Sequence, residues 1–289
     1  MTDQARGILL LLATVAVFSI SDAVGKIIAE AHGGLMVSWG RFAFALVVLP
    51  LVFPHRIGTM VRTRNLKLQL TRSIVVIGAN TVFFIGLRHL PLADAVALGF
   101  ASPFITTILA IPMLGEKVGV RRWTAIAIGF VGILLIVRPG FEARHWAYVL
   151  PIVSSTFWAF YIVFTRKLGS TDEPLTTLFY TPLAGAVVLS ATAPLYWDWP
   201  SANHWVLLVL LGVLATVGHL TLIRAYRLAS ASLLAPYNYA SILFATVLGY
   251  LIFGTLPDVW TVIGAGVLIA SGVYVFHREA MARRRGESG

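Results

Sequence analysis

The sequence predicts an all-α membrane protein of ten transmembrane helices, arranged as two inverted five-helix repeats. Three observations lead there. Of the 289 residues, 58% are hydrophobic and 12% charged, with a mean hydropathy of +0.85, whereas charged residues make up about a quarter of an ordinary soluble domain. Continuous apolar runs recur along the chain, each near the ~20 residues that cross a ~30 Å hydrocarbon core as helix. Two short signatures in the first half return in the second at nearly one offset.

The first run, 7–29, follows Arg6 and ends in Ala29-Glu30-Ala31, which resembles a signal-peptide cleavage site. A cleavable apolar core is only ~7–15 residues long and lacks internal charge, so Asp22 and Lys26 favour a retained helix. The second run, 34–53, carries Arg41, and the third, 72–88, opens on Arg72 and holds Asn80. The fourth, 92–114, has Asp94 in its first turn, where attraction to the helix N-terminus accounts for it. The fifth is 123–138, the sixth 147–165 with Trp158 and Tyr161, the seventh 175–196, and the eighth 204–223 with His219. The ninth, 230–253, contains Pro236, which removes an intrahelical hydrogen bond and predicts a kink. The tenth is 258–276. None of the runs alternates as a transmembrane strand does, which argues against a barrel.

The net charge of +10 sorts by loop. With the N-terminus inside, the inner segments hold Arg6; Arg56, Arg62, Arg64 and Lys67; Lys117, Arg121 and Arg122; Arg166 and Lys167; Arg224 and Arg227; and Arg278, Arg283, Arg284 and Arg285. The outer segments hold only Arg88, Arg138 and Arg144, a ratio of 16 to 3 in the direction of the positive-inside rule. Both termini are therefore expected in the cytoplasm, with the chain in the inner membrane. The basic tail reads as a topology and lipid-headgroup anchor rather than a nucleic-acid site. There is no cysteine, which excludes disulfides, thiolate catalysis and Cys-based metal sites.

The repeat shows in "WTAIAIG" at 123–129, which returns as "WTVIGAG" at 260–266, and in "RHLPLADA" at 88–95, which is similar to "YRLASASL" at 226–233. The period is about 138 residues. With five spans per half, an odd number, the second copy enters the membrane from the opposite side, the inverted arrangement of many secondary transporters. The same offset maps Pro103 onto Ser241, so the two halves are expected to bend at different heights.

Several stretches together resemble the drug/metabolite transporter superfamily, in its ten-helix EamA type. They are "FSISDAVGK" at 18–26, "WGRFAFAL" at 39–46, "LRHLPLADAVALGFASPF" at 87–104, "LGEKVGVRRW" at 114–123, "ILLIVRPG" at 133–140 and "RLASASLLAPYNYASILFATVLGYLIFG" at 227–254. "FGTLPD" at 253–258 departs from the pattern, which has a Gly-Glu pair like Gly115-Glu116. The resemblance covers roughly 7–277 and implies a first EamA-type repeat over 1–140, a second over 141–277 and a tail over 278–289. It also implies a central cavity lined by spans one, three, four, six, eight and nine, with five and ten peripheral.

Ionisable side chains inside the spans are few: Asp22, Lys26, Arg41, Asp94 and His219, with Arg72 at an inner end. An unpaired charge at mid-membrane costs about 3 kcal/mol on insertion scales, so each should face a partner or a hydrated cavity. Ser19, Asp22 and Lys26 share one helical face. Asp22 and Lys26 read as a charge pair. Lys26 and Arg41 both fall in the outer half, and two cations against one anion leave room for an anionic group on a ligand. Arg72 reads as capping an inner helix end. Trp158, Tyr161 and Thr165, with Tyr237, Asn238 and Tyr239, suit an organic ligand that needs stacking and a few hydrogen bonds. Asn80 and His219 lie on helices that the resemblance assigns to the cavity, and His219 joins Asp22 as a coupling candidate. No metal-ligand spacing, catalytic triad or phosphate loop occurs, so neither cofactor nor ATP site is expected, and transport would be secondary.

The expected function is transport of a small organic metabolite or drug: an amino acid or derivative, a nucleoside-like cofactor or a vitamin. A coupling proton or a counter-substrate and membrane lipid are the other partners, and monomer and homodimer both stay open. The alternative is a non-transporting membrane receptor or channel, although a channel normally needs repeated polar pore rings; a membrane-embedded enzyme, which would need clustered acids and bases, is less favoured because the intramembrane acids stand about 70 residues apart. The orientation is testable because the chain lacks cysteine. Thr63→Cys and Ser288→Cys should resist a membrane-impermeant thiol reagent applied outside, and Ser201→Cys should react; the reverse pattern inverts the topology.

Overall fold

A computed structural model of the chain describes residues 2–116, 118–138, 146–168 and 172–286. Lys117, Arg144 and the last three residues of the basic tail lie outside them. Among the described residues the elements are helices and turns, with no strand. Eight helical segments are long and apolar enough to cross a membrane, and two shorter apolar helices, Trp123–Val137 and Val259–Tyr274, occupy the fifth and tenth runs. The chain is a multi-pass membrane protein.

Helix α1 (Asp3–His32) starts at Thr2, whose hydroxyl accepts from the Ala5 amide (3.3 Å), and stops at Gly33 with φ of 83°. That positive φ suits glycine, and it lets α2 (Gly34–Val52) begin at once, so spans one and two join through a single residue. A 3₁₀ turn (Pro54–Arg56) and α3 (Ile57–Met60) lead to α4 (Leu66–Leu87), capped by Asn65. Span four is two pieces, α5 (Leu92–Gly99) and α6 (Ser102–Leu114), followed by α7 (Val120–Val137), α8 (Val149–Leu168), α9 (Pro174–Thr192) and α10 (Ala202–Leu228). Span nine is also interrupted: α11 (Ala231–Leu234) runs into a 3₁₀ stretch (Ala235–Tyr239) before α12 (Ala240–Phe253), and α13 (Val259–Gly286) closes the chain.

The two interruptions correct the expectation of bends at different heights. Span four breaks at Phe100-Ala101, ahead of Pro103, which sits in the first turn of α6, where a proline's missing N–H costs nothing. At the ~138-residue offset this break maps onto Asn238-Tyr239, and the rings of Phe100 and Tyr239 stack at 4.6 Å. The groups freed by the breaks are answered locally, as a lipid environment demands. Ser155 Oγ, whose shortest bond is to the Pro151 carbonyl (2.7 Å), also lies near the carbonyls of Leu98 (3.3 Å) and Gly99 (3.2 Å), and Asn238 Nδ2 donates to the carbonyl of Ala235 (3.2 Å). Beyond the breaks, α6 and α12 end alike, at Gly115 (φ 70°) and Gly254 (φ 64°). In both, the next amide reaches back to the final turn, Glu116 to Ala110 and Thr255 to Gly249, so a left-handed glycine lets orphan carbonyls at the helix end find a donor.

Helix α1 packs along α10 and α4 along α8; α2 lies on α10 and α9 on α4; α12 lies on α1 and α6 on α8. Three further pairs, α2 with α9, α5 with α12 and α7 with α13, hold the halves together. A large apolar cluster that includes Ile28, Met36, Phe84, Leu87, Leu90 and Leu98 fills the end where α1 meets α2. Helices α7 and α13 touch backbone to backbone: a Cβ at Gly264 would lie 2.6 Å from the Gly132 carbonyl oxygen, whereas one at Gly266 meets nothing within 4 Å. Arg138 and Asp258 pair across their ends. Of Gly264 and Gly266, only Gly264 packs. Gly264→Ala should therefore destabilise the detergent-solubilised protein by about 1–3 kcal/mol through overpacking, and Gly266→Ala should leave its melting temperature level or slightly raised. Equal effects would refute the tight α7–α13 crossing.

Candidate functional site

A cavity of about 340 Å³ lies inside the bundle between α2, α4, α8, α9 and α10. Helical periodicity builds its walls. From α4 come Arg72, Val76 and Asn80, spaced i, i+4, i+8 on one face, with roughly 12 Å of helix between first and last. Trp158, Tyr161 and Thr165 come from α8, spaced i, i+3, i+7, with the Trp158 and Tyr161 rings 4.9 Å apart. Helix α2 supplies Arg41 and α10 supplies His219, while α9 adds Thr177 and Thr181. The walls differ from those that the resemblance implies, because spans two and seven take part and no lining residue comes from spans one, four or nine. Those three are occupied elsewhere: α1 lies behind α10, and α12 packs against α1 and α5. Spans five and ten stand outside the cavity.

The charges inside the bundle are not paired as the sequence reading has them. Asp22 and Lys26 do not pair. Lys26 is buried and donates to the carbonyls of Leu87 (2.9 Å) and Leu90 (2.8 Å), and its ammonium lies 3.0 Å from Glu30 and 5.3 Å from the centre of the Phe253 ring. It lies outside the cavity, fastening α1 to the end of α4. Asp22 faces Arg41 instead, at 3.7 Å, and the Arg41 guanidinium stands 5.9 Å from the Phe84 ring centre. His219 is held through Nδ1 at 2.8 Å from the Ala215 carbonyl oxygen, edge-on to Phe18. Asn80 donates one amide hydrogen to the Val76 carbonyl (3.0 Å).

The Tyr237-Asn238-Tyr239 run also lies outside the cavity. Its residues form the interruption in span nine: Tyr237 is exposed, Asn238 serves the break, and Tyr239 is buried on Phe100 and against Gly272. Arg72, read as a helix-end cap, is instead one of the largest fully buried side chains. Its Nη2 donates to the Thr177 carbonyl (2.7 Å) and the Thr181 hydroxyl (2.6 Å), and its guanidinium stands 5.0 Å from the Tyr161 ring centre. The sequence signal for it was the i, i+4, i+8 register with Asn80. No such signal marked Asp172, Thr177 or Thr181, which reach the cavity only through packing.

Asp172 marks one mouth of the cavity. Its carboxylate accepts from the Thr63 hydroxyl (2.5 Å), the Arg64 amide (2.9 Å) and the Gln69 side chain (2.8 Å). Burial pushes its carboxyl up, but those hydrogen bonds and the Arg64 charge outweigh burial and hold it below the usual carboxylate range. A second hollow of about 250 Å³ adjoins the cavity through Pro174 and Ile223 and carries Arg56, Arg224 and Arg227. The cavity thus leads to the basic end of the bundle. Among the described residues no group of three or more His, Cys, Asp or Glu is placed to hold a metal ion.

The sequence profile described as the EamA-like transporter family matches residues 5–138 and again 145–277. The S-adenosylmethionine uptake transporter of Rickettsia felis is 27% identical over 268 residues, 92% of this chain and 91% of that protein. The riboflavin transporter of Vibrio cholerae is 29% identical over 285 residues, 97% of this chain and 96% of that protein. A solved crystal structure, 16% identical, superposes with a TM-score of 0.66 over 97% of this chain and 98% of that chain, a likeness of fold.

The pairing of charges is open to a double-mutant test. Lys26→Met should lower stability by about 1–3 kcal/mol because buried carbonyls lose their donor. Combined with Asp22→Asn, the losses should add within about 0.5 kcal/mol, whereas Lys26→Met with Glu30→Gln should be non-additive. Chemical denaturation in detergent reads both; coupling of Lys26 to Asp22 alone would restore the original pairing.

Proposed function

Because the chain belongs to the EamA-like transporter family, we propose that it is a secondary active transporter that moves a small organic metabolite across the cytoplasmic membrane by alternating access. It is not an enzyme. One observation carries the reading: a cavity of about 340 Å³ with arginine, histidine, amide and paired aromatic side chains, inside a bundle whose composition is otherwise that of lipid-embedded helices. Such a chamber suits an organic solute, since aromatic walls hold its body and a few polar groups fix its orientation. Arg41, Asn80, Trp158, Tyr161 and His219 are the substrate contacts, and Asp22 holds Arg41. A proton or a counter-substrate drives the cycle. The relatives named for S-adenosylmethionine and riboflavin favour a nucleoside-like cofactor, a vitamin or an amino-acid derivative.

The two inverted repeats, over 1–140 and 141–277, supply the two openings. In favour of them, exchanging the halves maps the α1–α10 contact onto α8–α4, α2–α10 onto α9–α4 and α1–α12 onto α8–α6. Three further contacts, α2–α9, α5–α12 and α7–α13, join a span to its own counterpart, whereas α2–α4 and α1–α2 have no such match; Phe100 stacks on Tyr239, next to its counterpart Asn238, as residues near a two-fold axis do. The 16-to-3 charge bias supports the reading that both termini and the basic mouth of the cavity face the cytoplasm.

Proteoliposome counterflow tests the function. Vesicles preloaded with unlabelled metabolites from the three classes should accumulate the labelled compound transiently and saturably, and Val76→Trp, which fills the cavity, should reduce this to the level of empty vesicles. Non-saturable flux would point to a channel, and ligand-dependent stabilisation without flux would point to a receptor.

A further inference from the structure

Among the described residues, the cations buried in the membrane-spanning helices each face a carboxylate, with a single exception. Arg41 faces Asp22, Lys26 faces Glu30, and the Asp94 carboxylate accepts from the Tyr148 hydroxyl at 2.5 Å. Arg72 is 1% exposed, and among the described residues it makes no ion pair. It bonds neutral groups of α9, the Thr177 carbonyl and the Thr181 hydroxyl, and lies against the Tyr161 side chain of α8, while its Nε has no hydrogen-bond partner. The one other carboxylate on the cavity, Asp172, is committed to Thr63, Arg64 and Gln69. A guanidinium in a lipid-embedded bundle cannot shed its proton, and lipid supplies no counter-ion. With no carboxylate of the described residues beside it, Arg72 offers its charge to an anion that enters the cavity.

The surroundings define what enters. Arg72 lines the cavity beside Tyr161, whose ring it overlies and which stands 4.9 Å from Trp158. The two rings, tilted 39° to each other, form one aromatic wall for a planar body to pack against, and the guanidinium N–H groups not given to α9 can donate to a carboxylate. Asn80, two turns further along α4, has its Oδ1 free to accept from a polar edge. One uncompensated positive charge matches one negative charge, which favours a carboxylate over a doubly charged phosphate monoester. We propose that Arg72 is the specificity-determining residue of this cavity, receiving the carboxylate of an aromatic or heteroaromatic monoanion whose ring system lies on Trp158 and Tyr161. The inference rests on the transport reading and names the substrate class for it.

The test is thermal stabilisation of the purified full chain by matched acids and amides, indole-3-acetate against indole-3-acetamide and benzoate against benzamide, since a ligand of the folded state raises Tm by mass action. At least one acid should raise Tm saturably while its amide does not. Arg72→Gln should abolish the shift, and Arg72→Lys should keep it with affinity about tenfold lower, the charge remaining but the planar fork lost. Arg72→Gln also loses its bonds to α9, so Thr181→Val serves as the companion: it removes one of those bonds, keeps the charge, and should still bind the acid. Acid and amide binding alike, acid binding unchanged in Arg72→Gln, or no acid binding at all would each overturn the assignment. An Arg72-dependent acid shift without counterflow would overturn transport and leave the anion site standing. Counterflow of neutral metabolites unaffected by Arg72→Gln would do the opposite.

Discussion

Lipid offers neither a counter-ion nor a hydrogen bond, so every cation carried into the bundle has to be answered by the protein itself. The interior is laid out by how three of them are answered. Lys26 is answered by two carbonyls at the end of α4 and by Glu30, which pins α1 beside the densest apolar cluster and closes that end of the bundle. Arg41 is answered by Asp22, which ties α2 to α1 where the cavity meets the closed region. Arg72 receives only neutral acceptors from α9, so the lower part of the cavity keeps a positive charge. The closed end, the balanced middle and the positive basal half follow from these choices.

The broken helices obey the same constraint on the backbone. A break in a membrane helix frees carbonyls and amides, and each break here comes with a donor nearby: Ser155 for span four, Asn238 for span nine. Because the breaks meet through Phe100 and Tyr239, they share one level in the bundle, where two shortened helices can turn without disturbing the longer ones around them. Proline takes part in both but fixes neither position alone, since Pro103 sits in the first turn of the resumed helix α6 and Pro236 at the start of the 3₁₀ stretch itself.

Much of the site could be read from residue type and spacing. Arg41, Asn80, Trp158, Tyr161 and His219 all reach the cavity, because a polar or aromatic side chain in an apolar helix is costly unless it faces inward, and i, i+3, i+4 spacing gives the face. Partner choice was not legible. Lys26 stands one turn from Asp22 on one side and from Glu30 on the other, and a helix brings both within reach equally. Only the position of Arg41 on the neighbouring helix draws Asp22 away. The Tyr237-Asn238-Tyr239 run was misleading for a related reason: a polar cluster next to a proline serves a ligand or a broken backbone equally well by composition.

By itself the sequence determined that this chain lies in a membrane, roughly where its helices begin and end, and which short signatures recur in its two halves. These properties depend on hydrophobicity, length and local capping, and all of them act between residues close in the chain. Tertiary structure decided which helices wall the cavity, which carboxylate answers which cation, and that Arg72 has no carboxylate partner among the described residues. Those outcomes depend on how different helices pack, as Asp22 with Arg41 and Arg72 with Thr181, and side-chain spacing along one helix carries no information about what its neighbours bring to the same point.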